Sequence, residues 1–447
     1  MLLIFSISQS PRLIYILDLI FKDILGMEYK LTSNKEEYVK SKLPCLTYSD
    51  KAFQNEAFIY DTGFLSEKVI KKQAEEFIIP EEWEHTKIYF KNSAGGILPF
   101  DIFSSSFYLI SRYEEYLNQN KDGHDRFTAE NSMAFKYGFL QQPVVDIWAF
   151  KLLNRLQEKY SEEKIKTVKR TYHYIPTIDI DNAWAIKNKN LARTLGALIK
   201  SAFSKADLMK RIKVLLDMEK DPYDNYNYIR KLHNQHKVKG IYFFLLGNYN
   251  KYDKNISFRN NKYKSLIKDI SKYSKTGIHP SYASNLKKGM LKKEIIRFEK
   301  ISGKKPKRSR QHFLRMNIPE TYKILIENGI KEDYTMGYSD KAGFRAGTCT
   351  PFFFFDLETN KKTDLKVFSF QIMDISLKEL QHDDSKEIQR DDFEKALNLI
   401  SKIIEEVKNV NGTYISLWHN ESLSDTDLWK GWRSVYEFLV KKASANF

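Results

Sequence analysis

Two cysteines in 447 residues, Cys45 and Cys349, are too few for a disulfide framework and point to a reducing compartment rather than to secretion. The chain also lacks any run of about 18 uncharged apolar residues, so no membrane-spanning helix is expected. Its opening MLLIFS is apolar but short and has no basic flank, so a secretory leader is not expected either. The chain reads as cytoplasmic. No internal repeat or low-complexity tract is visible, and collagen-like, disulfide-miniprotein and polytopic membrane classes are excluded.

What is present is the composition of a globular protein: 42% hydrophobic and 29% charged residues, on a chain long enough for two or three domains. Aromatic residues reach 14%, enough to fill cores well and to supply a stacking surface. The formal charge of +16 calls for an anionic partner or surface to be considered.

In the first part, Leu13 to Leu25 has helical spacing, with Pro11 near a natural first-turn position and an end near Gly26. Residues 99–117 carry Phe103, Phe107, Ile110 and Tyr113 at helical spacing, predicting one buried helix that enters a polar loop with Asp122, His124, Asp125 and Arg126. That loop reads as fixed by its own hydrogen bonds rather than as a binding site. A second helix runs from about Val144 to Ser161. Beyond Lys169 short β-type runs alternate with helices: Tyr172–Ile180, Gly240–Leu246, the run before His279, Ser309–Leu314, Lys366–Ile372 and Thr413–Trp418. Helices are expected near 222–237, 263–274, 287–301, 319–328 and 391–409. The alternation predicts an α/β fold with a parallel sheet or barrel and active groups at the strands' C-terminal ends. The division is therefore 1–165, a smaller α+β domain, and 166–447, with a basic, amphipathic helical insertion at about 187–221.

Chemistry-bearing residues gather at those strand ends. Asp179 and Asp181 close an apolar strand on alternate positions, so both face one side. Like charges this close conflict unless a cation lies between them; a metal ion resolves the conflict and leaves one carboxylate free as a base. Two solvated loop carboxylates are the plainer alternative. His279, in Thr276-Gly-Ile-His-Pro-Ser-Tyr-Ala-Ser284, follows a short apolar approach. A single strand-end histidine is more often structural than ligating. Arg310, His312 and Leu314 would share one face of a strand. His419 is again an imidazole delivered by an apolar strand, Tyr414 to Trp418, and Gly343-Phe-Arg345-Ala-Gly347 adds a glycine-flanked arginine. Each signal is weak alone, but one carboxylate pair and three of nine histidines at successive strand ends point to a metal-assisted hydrolytic site.

On these motifs residues 171–438 resemble a polysaccharide deacetylase domain, the NodB-homology fold of carbohydrate esterase family 4. The resemblance implies a deformed (β/α) barrel, with Asp179 as catalytic base, Asp181 and His279 as metal ligands, Arg310 orienting the base and His419 as general acid. The family's second metal histidine would fall at Ala283; His312 is the candidate replacement in the ligand set. The metal would be a divalent ion, zinc above others. Trp184, Tyr282, Arg345 and Trp418 are the candidate substrate contacts. The segment FDIFSSSFYLISRYEEYL, with Gln142-Pro-Val-Val-Asp146, resembles an uncharacterised domain that precedes such deacetylases in Bacteroidetes-type proteins.

The expected activity is hydrolysis of the N-acetyl group of a sugar in a surface polysaccharide or its biosynthetic precursor. The alternative is a degenerate deacetylase fold that binds glycan or a biosynthesis partner without turnover. An anionic membrane surface or a lipid-linked sugar would suit the basic insertion. Nucleic acid is disfavoured: the run Lys304-Lys-Pro-Lys-Arg-Ser-Arg310 leads into the Arg310 and His312 segment, and no recognition motif accompanies it.

Overall fold

The computed structural model describes residues 1–118, 120–285, 287, 289–380 and 390–445. The apolar opening forms strand β1 (Leu2–Phe5), wholly buried and central in a parallel four-stranded sheet. Its partners are β2 (Tyr29–Thr32), β3 (Cys45–Ser49) and β4 (Ala57–Tyr60), in the order β2-β1-β3-β4. Between β1 and β2 runs helix α1 (Pro11–Leu17), capped by Ser10 and continued by a wider π turn over Asp18–Ile24.

The single helix expected over 99–117 is two, α2 (Ile102–Ile110) and α3 (Tyr113–Leu117). The break is Arg112, which turns left-handed at φ 55° and buries its guanidinium against Glu114 and Glu115. Helix α4 (Val144–Tyr160) follows.

The second sheet has nine strands. In chain order its elements are β5 (His173–Ile180), α5 (Leu191–Ser201), α6 (Lys205–Leu215), α7 (Tyr226–Gln235), β6 (Ile241–Leu245), α8 (Asn261–Ser271), β7 (Lys275–His279), α9 (Met290–Ser302), β8 (Arg308–Ser309), α10 (Glu320–Glu327), β9 (Glu332–Asp333), β10 (Phe352–Asp356), β11 (Lys361–Val367), β12 (Ile372–Met373), α11 (Arg390–Asn409), β13 (Thr413–His419) and α12 (Trp432–Ser444). The spatial order is β10-β11-β9-β8-β7-β6-β5-β13-β12, parallel throughout except for the β10–β11 pair. Among the described residues no ladder joins β10 to β12.

The parallel strands are buried on both faces, as in Ile241-Tyr-Phe-Phe-Leu245: Tyr242 and Phe244 join the main core, while Ile241 and Phe243 pack with Tyr334, Phe370, Met373, Ile415 and Leu417 from other strands and the segments beside them. Two strand expectations change. The run Ser309–Leu314 is strand only at Arg308–Ser309; His312–Leu314 is a tight turn with Phe313 and Leu314 left-handed at φ 60° and 52°. Lys366–Ile372 splits between the end of β11 and β12.

Parallel register aligns the strand ends. His419 lies beside Asp179 across β13 and β5, Phe243 beside Asp179 on the other flank, and Leu245 beside His279.

Candidate active site

At the C-terminal ends of β5, β7 and β13 a cleft of about 240 Å³ opens, and Asp179, Asp181, His279, His312 and His419 all line it. Four of these arrive on strand ends or the residue following, and His312 arrives on the left-handed turn after β8.

Asp179 is buried and receives Arg310 Nη1 on Oδ1 at 3.0 Å. The same Nη1 donates to Thr177 Oγ1 at 2.6 Å, and Arg310 Nε to the Tyr334 carbonyl at 2.9 Å. The guanidinium lies 4.9 Å from the Phe243 ring centroid. Phe243 can sit there because residue 277 is glycine: a Cβ at that position would come within 2.6 Å of the ring and 2.8 Å of the Arg308 carbonyl. Arg310 is thus aimed by the Tyr334 carbonyl, the Thr177 hydroxyl and an aromatic floor, and it in turn fixes Asp179.

The geometry that invites a cation is centred on Asp181. His279 Nδ1 lies 2.5 Å from the Arg310 carbonyl. A carbonyl only accepts, so Nδ1 carries a hydrogen, and Nε2 is the ring atom turned to the cleft. That Nε2 is 3.1 Å from Asp181 Oδ1, yet Oδ1 is buried without a hydrogen-bond partner among the described residues. His312 Nε2 is 3.4 Å from Asp181 Oδ2, while its Nδ1 donates to Asp253 Oδ1 at 2.8 Å. The ligating atoms of Asp181, His279 and His312 all lie within 4.8 Å of one another. Two imidazoles with their far nitrogens tied down converge on one carboxylate, His279 at the unpartnered Oδ1 and His312 at Oδ2, and the set fits a divalent ion.

Charge follows from this packing. Burial alone would lower the His312 pKa, but Asp181 and Asp253 flank the ring and bring it up to about 9. Burial would raise Asp181, but the neighbouring imidazoles, His312 foremost, hold it well below the usual carboxylate range. His419 is treated similarly: Asp374 overrides the effect of burial and raises its pKa well above the ordinary histidine value. Asp374 takes His419 Nδ1 at 3.0 Å on both oxygens and the His419 backbone N–H at 2.8 Å, and it also accepts from Ser422 Oγ. The free Nε2 of His419 is 3.8 Å from Asp181 Oδ2. Glu421, close by, is pushed up to about 7 by burial and by Asp181.

Two residues absent from the sequence reading complete this arrangement. Asp374 carried the available signal, since the apolar run before it ends in a carboxylate as β5 does. Asp253 lies in the polar loop after β6, where nothing local marks it. Besides His312 it accepts the backbone N–H of Tyr282 at 2.8 Å and of Ala283 at 3.4 Å. The turn where a second family histidine was expected is therefore held by the carboxylate that orients His312.

The four candidate substrate contacts fare differently. Trp184 is buried in the core, and Trp418 points to the opposite side of β13 from Leu417 and His419, against Tyr436 and Trp432. Arg345 is buried in a two-pronged pair with Glu115 and donates to the Gly337 carbonyl. None of the four lines the cleft; the alternation of β13 turns Trp418 inward and the Glu115 pair holds Arg345. Tyr282 stacks on Tyr252 with ring centroids 4.2 Å apart, beside the rim.

The rim has a contribution from the first part of the chain. Asp122 fixes its loop through the N–H groups of His124 and Arg126 and the Arg126 side chain. From that loop His124 and Arg126 line the cleft, Arg126 donating to the Phe313 carbonyl at 3.0 Å.

Residues 2–161 match the model of DUF7033, a family of unknown function. No curated protein matches the chain. Among solved structures, a protein of Mycobacterium smegmatis assigned as a polysaccharide deacetylase is similar at 15% identity, covering 62% of this chain and 85% of its own, with a TM-score of 0.40. A polysaccharide deacetylase of Bacillus cereus is similar at 12% identity, covering 61% and 87%, with a TM-score of 0.28. Likeness at this level carries no argument about activity. The cleft's own side chains do.

Proposed function

We propose that the chain is a metal-dependent deacetylase that hydrolyses the N-acetyl group of a sugar, in a surface polysaccharide or its biosynthetic precursor. One observation carries the reading: Asp181 presents its unpartnered Oδ1 to His279 Nε2 and its Oδ2 to His312 Nε2, beside a carboxylate fixed by Arg310 and an imidazole fixed by Asp374. The reading places the chemistry in residues 166–447, on a deformed barrel of the NodB-homology type, with 1–165 as a separate domain that supplies part of the cleft rim.

Asp181, His279 and His312 would hold a divalent ion, zinc for preference, which when bound supplies Lewis acidity toward the acyl oxygen and an acidified water. Asp179 takes a proton from the attacking water, its carboxylate held by Arg310 and Thr177. His419 Nε2 gives a proton to the departing amine as the C–N bond breaks, so amide and water become acetate and a free amino sugar. The Asp374 pair suits this acid role: it raises the His419 pKa against the effect of burial and so favours the protonated ring that a donor requires. His124 and Arg126 would meet the sugar at the rim.

The test is acetate release from N-acetylglucosamine oligomers by the zinc-loaded wild type and by Asp179→Asn. The reading expects turnover in the wild type and a loss of at least about a hundredfold in the variant, with metal retained. Glycan binding that no chelator affects, without turnover, would favour the binding-only alternative.

A further inference from the structure

The helical pair α5–α6 has no part in the cleft, yet it presents an unusual surface. Leu191, Leu195 and Ile199 fall four residues apart on one face of α5 and are 75%, 50% and 71% exposed; Phe203, in the turn to α6, is 95% exposed. Large apolar side chains do not normally line up in water on a monomer's surface. Residues 187–216 carry eight lysines and arginines and a single acid, Asp207. Lys187, Lys210 and Lys213 are paired with Asp217, Asp427 and Glu219. Lys200 and Lys205, which bracket Phe203, are exposed, and among the described residues neither has a carboxylate partner. The base of the pair is held firmly. Asp221 accepts the backbone N–H groups of Ala185, Ile186 and Lys187, each at 2.8 Å, and Arg193 donates to the carbonyls of Lys254 and Asn255 at 2.9 Å.

We propose that α5–α6 is a membrane-docking hairpin that lays Leu195, Ile199 and Phe203 into the interface of an anionic bilayer, with Lys200 and Lys205 on lipid phosphates. An apolar stripe with bare cations beside it is the pattern of a helix lying in the headgroup plane. The charge argues against a second copy on this face, since a two-fold contact would set Lys200 and Lys205 against their own kind. The anchoring also places the membrane relative to the cleft. Arg193 grips the stretch just after Asp253, the partner of His312, so the hairpin stands on the same end of the sheet as the candidate active site.

The experiment is vesicle flotation of the full chain. Vesicles of phosphatidylcholine alone are compared with vesicles containing about a third phosphatidylglycerol, at about 0.1 M and about 1 M salt. The wild type is expected to float with the anionic vesicles at low salt, to be released at high salt, and to stay unbound with phosphatidylcholine. The double variant Ile199→Asp, Phe203→Asp, whose side chains are exposed and whose melting temperature should be unchanged, is expected to bind at least about tenfold more weakly. Three outcomes would overturn the proposal: no flotation with anionic vesicles; equal flotation of the double variant, which would put the contact on another basic surface; or self-association by sedimentation that the double variant abolishes, which would make the occupant a second copy. None of these outcomes bears on whether the cleft deacetylates sugars.

Discussion

Asp253 Oδ1 lies 2.8 Å from His312 Nδ1, and this contact aims a ring on an irregular turn at Asp181. Its backbone contacts to Tyr282 and Ala283 tie the same carboxylate to the turn after β7. One buried acid thereby sets the positions of two of the loops that frame the cleft.

Replacing that acid isolates its role. Asp253→Asn keeps the shape but weakens the hold on the His312 ring, and zinc affinity is expected to fall about 10- to 100-fold. Competition against a chromogenic chelator measures this, with circular dichroism to check that the fold persists.

Metal uptake should also be linked to protons. In the metal-free protein His312 titrates at about 9, so at neutral pH the ring is protonated and an incoming ion must displace that proton. Affinity is therefore expected to rise with pH up to about 9, with about one proton released per ion from this group near pH 7. Calorimetry in buffers of different ionisation enthalpy reads the proton directly.

For His419 the expected effect lies in the pH profile. Its pKa is raised by Asp374 against the effect of burial, so the acid form persists to higher pH than in a free imidazole and the rate falls on the alkaline side as that proton is lost. In Asp374→Asn the support is lost and the alkaline limb should move toward lower pH, with kcat down about 100-fold and KM little changed. An alkaline limb left in place would remove His419 from the acid role.

Gly277→Ala probes the floor beneath Arg310. The added methyl meets the Phe243 ring at 2.6 Å and the Arg308 carbonyl at 2.8 Å, so overpacking should cost about 1–3 kcal/mol in denaturant unfolding. Activity should fall beyond what stability explains, because Phe243 moves and Arg310 with it.

How much of this is legible in the sequence depends on how local each signal is. Asp179, Asp181, His279 and His419 stand out because an apolar run ending in a polar group is a local pattern, and parallel pairing then gathers the ends. Asp374 follows the same pattern. His312 could be named from sequence but not placed: a strand was expected, and the residue reaches Asp181 through left-handed turns at Phe313 and Leu314. Asp253 could not be found at all, since its value arises from partners 29 and 59 residues away. The α+β character of the first part is legible, but its individual strands are not, for a related reason. Strands of four residues such as Tyr29–Thr32, only partly buried, have too few positions to show a period.

The account stands or falls on the ion at Asp181. Elemental analysis of purified wild type, Asp181→Asn and His312→Ala, prepared side by side, tests it most directly. The account predicts near-stoichiometric zinc or another divalent transition metal in the wild type and its loss in both variants. No metal in the wild type after incubation with zinc, cobalt and nickel, or metal kept equally by both variants, would contradict it.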